Sequence, residues 1–278
     1  MRAELRAKRD AFLDKIKSRP AVMGILNVTP DSFSDGGRFE AFDAAVAQAK
    51  TMVAEGCDIV DIGGESTRPS AVPVPAAEEF ARVEPVLMEL ARVLDVPLSI
   101  DTYKAAVAAR AAEIGVVMIN DVWGLQKDAK MAEVVAQTEA ALVITHNRAE
   151  RDGTVDIFAD MRRFFDRSLV LAAKANIRDE VIILDPGIGF GKTARQNAEA
   201  VARIPDLKGY GFPILVGASR KAFLGSLTGD AVEATPIGTL AVNLVAATCG
   251  ASIFRVHDVA QHVAALRVFR ALQGRAAR

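Results

Sequence analysis

Eight short apolar runs, separated by helix-compatible stretches, set the strongest limit on what this sequence can fold into. They cover residues 22–28, 59–64, 97–102, 116–121, 141–146, 181–185, 213–217 and 252–257. Runs of this length with little polar alternation fit strands buried on both faces. Between them the spacing predicts helices over 41–55, 76–93, 104–113, 129–137, 158–175, 235–249 and 258–272, the first closed by Gly56 as a left-handed stop. A further amphipathic helix is predicted over 3–17, with Leu5, Phe12, Leu13 and Ile16 roughly on one face. Strands that alternate with helices argue for a parallel sheet. Eight strands in 278 residues, with no linker or compositional break, favour a single closed (β/α)8 TIM barrel over an open doubly wound sheet. Residues 1–20 then form an N-terminal helix packed on the barrel, and 21–278 form the barrel itself.

Composition narrows the partners. A hydrophobic content of 51% supports a large core, and a net charge of −1 gives no general attraction to nucleic acid or an anionic membrane. Cys57 and Cys249 are too few for a disulfide framework and fit a reducing compartment. The first twenty residues are charged throughout, unlike a signal peptide, and no apolar run is long enough to cross a membrane. The expectation is a soluble cytoplasmic protein whose anion-binding capacity is local.

In a barrel, function gathers at the C-terminal ends of the strands. Here those ends carry Asn27, Asp61, Asp101, Asn120, His146, Asp185, Ser219 with Lys221, and Arg255 with His257. One polar residue at a strand end is ordinary helix capping, but a ring of them is harder to assign to caps alone. Asp101, Asn120 and Asp185 are expected to converge in the mouth. Buried carboxylates need partners, which leaves Mg²⁺, a flat heterocycle with N–H donors, or structural ion pairs with Lys221 or Arg255. Arg255 and His257, at i and i+2, share a face of their strand. Together with Thr67-Arg68 and Ser219-Arg220-Lys221 they suit a phosphate or pyrophosphate, with Asn27 offering an oxygen to an accompanying metal. A solvated salt-bridge network fits Arg220 much better than Arg255, which stands between Phe254 and Val256.

The loop at 29–37 is polar, carries Phe33, and ends in two glycines, features suited to closing over a ligand. The segment Asp185-Pro186-Gly187-Ile188-Gly189-Phe190-Gly191-Lys192-Thr193 only approaches the nucleotide-loop patterns. A P-loop needs glycine where Pro186 stands, and a dinucleotide fingerprint needs glycine where Lys192 stands. It is read instead as a carboxylate followed by a turn that brings backbone and Phe190 close to a ligand, against the simpler reading of a glycine-rich turn with no ligand. His146 has no His or Cys cluster around it and is read as structural. Trp123 is expected to pack beside the fourth strand's end.

These motifs, taken in order, resemble the dihydropteroate synthase family. Met23 to Gly37 is similar to its first signature and Asp61 to Pro69 to its second, and the segments 99–102, 120–121, 185–192, 217–221 and 255–258 match the rest. The resemblance implies a (β/α)8 homodimer of folate biosynthesis, a sulfonamide target. It implies a reaction joining p-aminobenzoate to 6-hydroxymethyl-7,8-dihydropterin pyrophosphate, with Mg²⁺ and release of pyrophosphate. Asp101, Asn120, Asp185 and Lys221 would hold the pterin, Asn27 the Mg²⁺, and Thr67, Arg68, Arg255 and His257 the pyrophosphate. Phe33, Pro69, Phe190 and Ser219 would help form the p-aminobenzoate pocket, and Lys221, Arg255, His257, Asp35 and Arg68 would be the catalytic set. Two positions depart from the family's usual pattern: Ser70 where glycine is common, and Thr145-His146-Asn147-Arg148 where Met-His-Met is common. A pterin-binding methyltransferase would need no pyrophosphate-binding residues, and a non-catalytic pterin-binding paralogue would have lost its loop residues. Thr67, Arg68, Arg255 and His257 argue against the first, and Asn27, Arg68 and Lys221 against the second.

Overall fold

The computed structural model describes residues 1–29, 37–66, 72–228 and 236–276. Among them eight strands form one parallel sheet: β1 (Ala21–Asn27), β2 (Ile59–Gly63), β3 (Leu98–Asp101), β4 (Met118–Asp121), β5 (Ala141–Thr145), β6 (Ile182–Asp185), β7 (Leu215–Val216) and β8 (Ile253–Val256). The strand order runs β6-β5-β4-β3-β2-β1-β8-β7. The two ends meet through a parallel bridge between Leu184 and Ile214, and Leu184 N–H donates to Pro213 O at 3.0 Å. That contact closes the barrel and excludes the open sheet. The seventh strand is shorter than the predicted 213–217. It begins at a proline that has no N–H to give a ladder, and its far end is Gly217.

Helices α1 (Ala3–Ser18), α2 (Gly37–Ala54), α3 (Ala76–Val93), α4 (Ala105–Ile114), α5 (Met131–Thr138), α6 (Ile157–Lys174), α7 (Ala194–Ala202), α8 (Ile204–Leu207), α9 (Phe223–Thr228), α10 (Pro236–Thr248) and α11 (Val259–Ala276) accompany the strands. Helix α2 starts at Gly37 rather than at 41. Helices α7, α8 and α9 are not among the predicted ones. A signal for α7 was nonetheless present: Thr193 and Gln196 form a reciprocal capping box, satisfying two of the N–H groups that a helix start leaves open.

Every residue of β2 through β7 is buried, which is why those runs show little alternation. Helix α1 buries Phe12, Leu13 and Ile16 as its spacing predicts. Its polar contacts go to residues that precede strands: Arg9 Nη1 donates to Glu139 O, ahead of β5, and Lys15 and Arg19 pair with Asp58, ahead of β2. The helix therefore covers the N-terminal end of the barrel and leaves the opposite mouth clear.

Candidate active site

Register brings the mouth residues together. Asn27, Gly63, Asp101 and Asn120 pair in one row across β1, β2, β3 and β4. Alternation places Asp61, two residues below Gly63, on the same face. Gly63 keeps the row open, because a Cβ there would lie 3.5 Å from the Asp101 Cβ and 3.9 Å from Asn27 Oδ1. Across the barrel Gly217 does the same beside Arg255 and Asp185, whose nearest atoms lie 3.8 and 4.0 Å from a Cβ built on it.

The predicted residues Asn27, Asp101, Phe190, Ser219, Lys221, Arg255 and His257 line one cavity of about 730 Å³. Arg255 Nε donates to Asp61 Oδ2 at 2.6 Å and Nη2 to Asp101 Oδ2 at 2.5 Å. Of the partners weighed for the buried carboxylates, the structural ion pair with Arg255 is present for Asp101, and it lies inside the barrel rather than in a solvated network. Phe254 and Val256 alternate with Arg255, so its guanidinium points inward, where the two carboxylates are. Arg220, as expected, lies in an exposed salt bridge, to Asp258. Asp185 accepts the Gly187 N–H at 2.7 Å. Lys221 Nζ donates to Ile188 O and sits 4.3 Å from the Phe190 ring centre. Ser219 Oγ lies 2.9 Å from His257 Nδ1 and accepts the His257 backbone N–H.

Burial shapes the electrostatics. It pushes the Asp101 carboxyl above the usual carboxylate range, with Arg255 opposing, and pushes Asp185 up, with the Gly187 N–H opposing. Burial also lowers Lys221 to about 8, while Asp185 pulls the other way. Burial works against the Arg255 charge too, but Asp101 and Asp61 outweigh it and hold its proton more tightly than usual.

Three buried acceptors in this mouth have no hydrogen-bond partner: Asp61 Oδ1, Asp101 Oδ1 and Asn120 Oδ1. Buried polar atoms are normally satisfied, so a set of orphaned acceptors points to a ligand edge that supplies donors. Among the described residues no group of three His, Cys, Asp or Glu side chains could hold a metal ion. Asn27 offers one neutral oxygen at the rim, the kind of sparse protein donor set that Mg²⁺ accepts when phosphates and water complete its shell.

Phe33, Asp35, Thr67, Arg68 and Pro69, and the departing residue Ser70, lie outside the described residues. Asp61 and Lys192 had been given no role. Asp61 is fully buried between Arg255 and Asn120. Lys192 is buried behind the β6 loop, its Nζ within 2.7 Å of His146 Nδ1 and bonded to Gly187 O at 2.8 Å and Phe190 O at 3.2 Å. His146 is fully buried, as a structural residue should be, with Nε2 3.2 Å from Asp160 Oδ2. Burial first, then the Lys192 charge, lowers it to about 4, so it is neutral: Nδ1 accepts from Lys192 and Nε2–H donates to Asp160.

A closed (β/α)8 barrel that gathers buried carboxylates and cations in one cavity at the C-terminal ends of its strands defines a class: barrel proteins with a polar site at the mouth. The family described as pterin binding enzyme matches residues 23–257, and the chain belongs to that family. It is 45% identical to the dihydropteroate synthase of Bacillus subtilis over 245 residues, 88% of this chain and 86% of the relative. Among solved structures it resembles the dihydropteroate synthase of Clostridium difficile crystallised with pteroic acid, at 46% identity and a TM-score of 0.87, over 91% of this chain and 97% of that one. The Xanthomonas albilineans dihydropteroate synthase with 4-aminobenzoic acid is similar at 43% identity and a TM-score of 0.87, over 92% and 93% of the two chains.

Proposed function

We propose that this chain joins p-aminobenzoate to 6-hydroxymethyl-7,8-dihydropterin pyrophosphate, giving 7,8-dihydropteroate and pyrophosphate. The observation that carries the reading is the orphaned acceptor Asp101 Oδ1, with Asn120 Oδ1 on the next residue of the row, in a cavity that Arg255, Lys221 and His257 also line. The acceptors suit the amino and ring N–H groups of a pterin, and the cations suit its pyrophosphate. In this reading Asp101, Asn120, Asp185 and Lys221 hold the ring. Arg255 and His257, with Thr67 and Arg68, hold the pyrophosphate, and Phe33, Pro69, Phe190 and Ser219 receive p-aminobenzoate.

The catalytic set is Lys221, Arg255, His257, Asp35 and Arg68, and its work is positioning and charge stabilisation rather than covalent attack. The C–O bond to pyrophosphate breaks, its electron pair leaving with the pyrophosphate oxygen. The electron-poor pterin methylene is then taken by the amine of p-aminobenzoate, which afterwards loses a proton. Arg255, held by Asp61 and Asp101, keeps its full charge for the departing anion. Asn27 would hold Mg²⁺ together with the pyrophosphate oxygens; when bound, the ion supplies charge neutralisation of the leaving group.

Residues 1–20 are read as an accessory helix on one barrel domain, 21–278. The reading includes a homodimer, and the exposed Val245 on α10 and Val268 and Leu272 on α11, two neighbouring helices, support a contact there. No helix among the described residues is long and apolar enough to cross a membrane, which agrees with a cytoplasmic location. The test is direct: the purified protein, given both substrates and Mg²⁺, should form dihydropteroate, identified by its mass. A folded protein that binds the pterin pyrophosphate and forms none would contradict the proposal.

A further inference from the structure

Asp61 does not line the cavity, yet it holds Arg255, which does, and Asn120, which pairs in register with Asp101 of the lining. Its Oδ2 accepts from Arg255 Nε at 2.6 Å and from Asn120 Nδ2 at 3.0 Å, and the residue is fully buried. A carboxylate is an acceptor only, whereas a carboxamide carries both an acceptor and two donors. Packed against Asp61, Asn120 has one sensible orientation: its NH₂ faces Asp61 and its oxygen faces the other way. Asn120 Oδ1 is one of the orphaned acceptors, as is Asp101 Oδ1 beside it in the same row. On the side away from Asp61, then, Asn120 offers an acceptor beside that of Asp101, while Lys221 and Arg255 supply the cations of the cavity.

We propose that Asp61 is a positioning residue that sets the polarity of ring recognition: by fixing the Asn120 amide it turns an ambivalent side chain into an acceptor, so the recess selects a ring edge of donors. It also retains Arg255 by Nε. A ring N–H can take the unpaired Asp101 Oδ1 while Nη2 stays on Oδ2 and Asp61 keeps the guanidinium in place. The inference rests on the pterin reading and names how that reading's selectivity is built. The ligand class it assigns is a 2-amino ring as opposed to its 2-oxo counterpart, which carries an oxygen where the first carries two donors. A site with fixed polarity rejects the wrong partner because buried groups are left unpaired.

The test uses Asp61→Leu, which keeps roughly the volume and removes the acceptor that fixes the Asn120 amide; Asp61→Asn would not do so, because Arg255 Nε still requires an oxygen at the Oδ2 position. Binding of 6-hydroxymethylpterin and of 6-hydroxymethyllumazine, its 2-oxo counterpart, is measured by calorimetry on the full chain, with thermal melting as the check on folding. The wild type should prefer the pterin by tenfold or more, as buried polar mismatches cost about 1–3 kcal/mol. Asp61→Leu should lose about tenfold or more in pterin affinity and change little toward the lumazine, so the preference shrinks. Asp61→Asn is the control: Arg255 Nε holds its amide oxygen at the Oδ2 position, the Asn120 NH₂ keeps its acceptor, and most of the preference should remain. If Asp61→Leu does not fold, Asp61→Asn decides alone: retained preference supports the proposal, lost preference in a folded protein overturns it. Equal weakening toward both rings in Asp61→Leu, or no change toward either, overturns it as well. A wild-type protein that binds neither ring defeats the pterin reading itself, and this inference with it.

Discussion

Arg255 is the residue on which the mouth turns, since it holds two buried carboxylates in the structure and, in the proposed reaction, would serve the anion. Its removal should therefore register twice. Arg255→Ala should lower kcat/KM by about 10²–10³-fold, the usual cost of a lost charge-stabilising donor. The same change should reduce folding stability by about 3–5 kcal/mol, because Asp61 and Asp101 are left buried without their partner. Steady-state kinetics and denaturant unfolding check the two, and a variant altered in neither would remove Arg255 from the account. Lys221 gives a second residue-scale test. Burial lowers it to about 8, so it is charged below that pH and neutral above it. Activity that depends on its charge should fall as pH rises through about 8, and Lys221→Arg, which stays charged, should move that limb upward. The stability effect has the opposite sign. Between about 8 and the ordinary lysine value of 10.5 the unfolded chain holds a proton that the folded chain has lost, so folding stability rises with pH across that window.

Among the elements, the loop after β6 is the clearest case of a local shape made around a buried amino group. Gly187, Gly189 and Gly191 all take positive φ, and a Cβ at Gly187 would sit 1.8 Å from His146 O. The loop wraps Lys192, whose pKa burial pushes well below the ordinary lysine value and whose N–H groups donate to Gly187 O and Phe190 O. Lys192→Met would leave those acceptors and His146 Nδ1 buried and unpaired, at about 1–3 kcal/mol each. The expected result is a lower melting temperature and weaker p-aminobenzoate binding through a displaced Phe190. A variant as stable as the wild type would contradict this role. This loop also shows where sequence reading stops. Asp185, Phe190 and the glycine turn were legible, because a carboxylate at a strand end and clustered glycines are local signals. Lys192 was not, since nothing in Gly191-Lys192-Thr193 says that the lysine turns inward; its acceptors come from the folded loop and from His146, 46 residues away. Asp61 escaped for the same reason, since its partners lie 59 and 194 residues away. The strands, the register-matched strand ends and helix α1 were legible because period and length encode them, whereas the two-residue β7 and the short α8 carry too little pattern of their own.

For the whole molecule, α1 covers the end of the barrel opposite the mouth, which leaves the sides for association. The exposed Val245, Val268 and Leu272 lie on neighbouring helices, the face that the proposed dimer would use. Sedimentation should give a dimer, and Val245→Glu with Leu272→Glu should shift it to monomer without unfolding it. Dimers of unchanged stability in that variant would place the interface elsewhere. The central claim, however, concerns chemistry at the mouth, and pyrophosphate release tests it most directly. With the pterin pyrophosphate and Mg²⁺, release should be slow until p-aminobenzoate is added. It should then rise sharply, with one dihydropteroate formed for each pyrophosphate. Release that ignores p-aminobenzoate, or tight pterin binding with no release at all, would contradict the account.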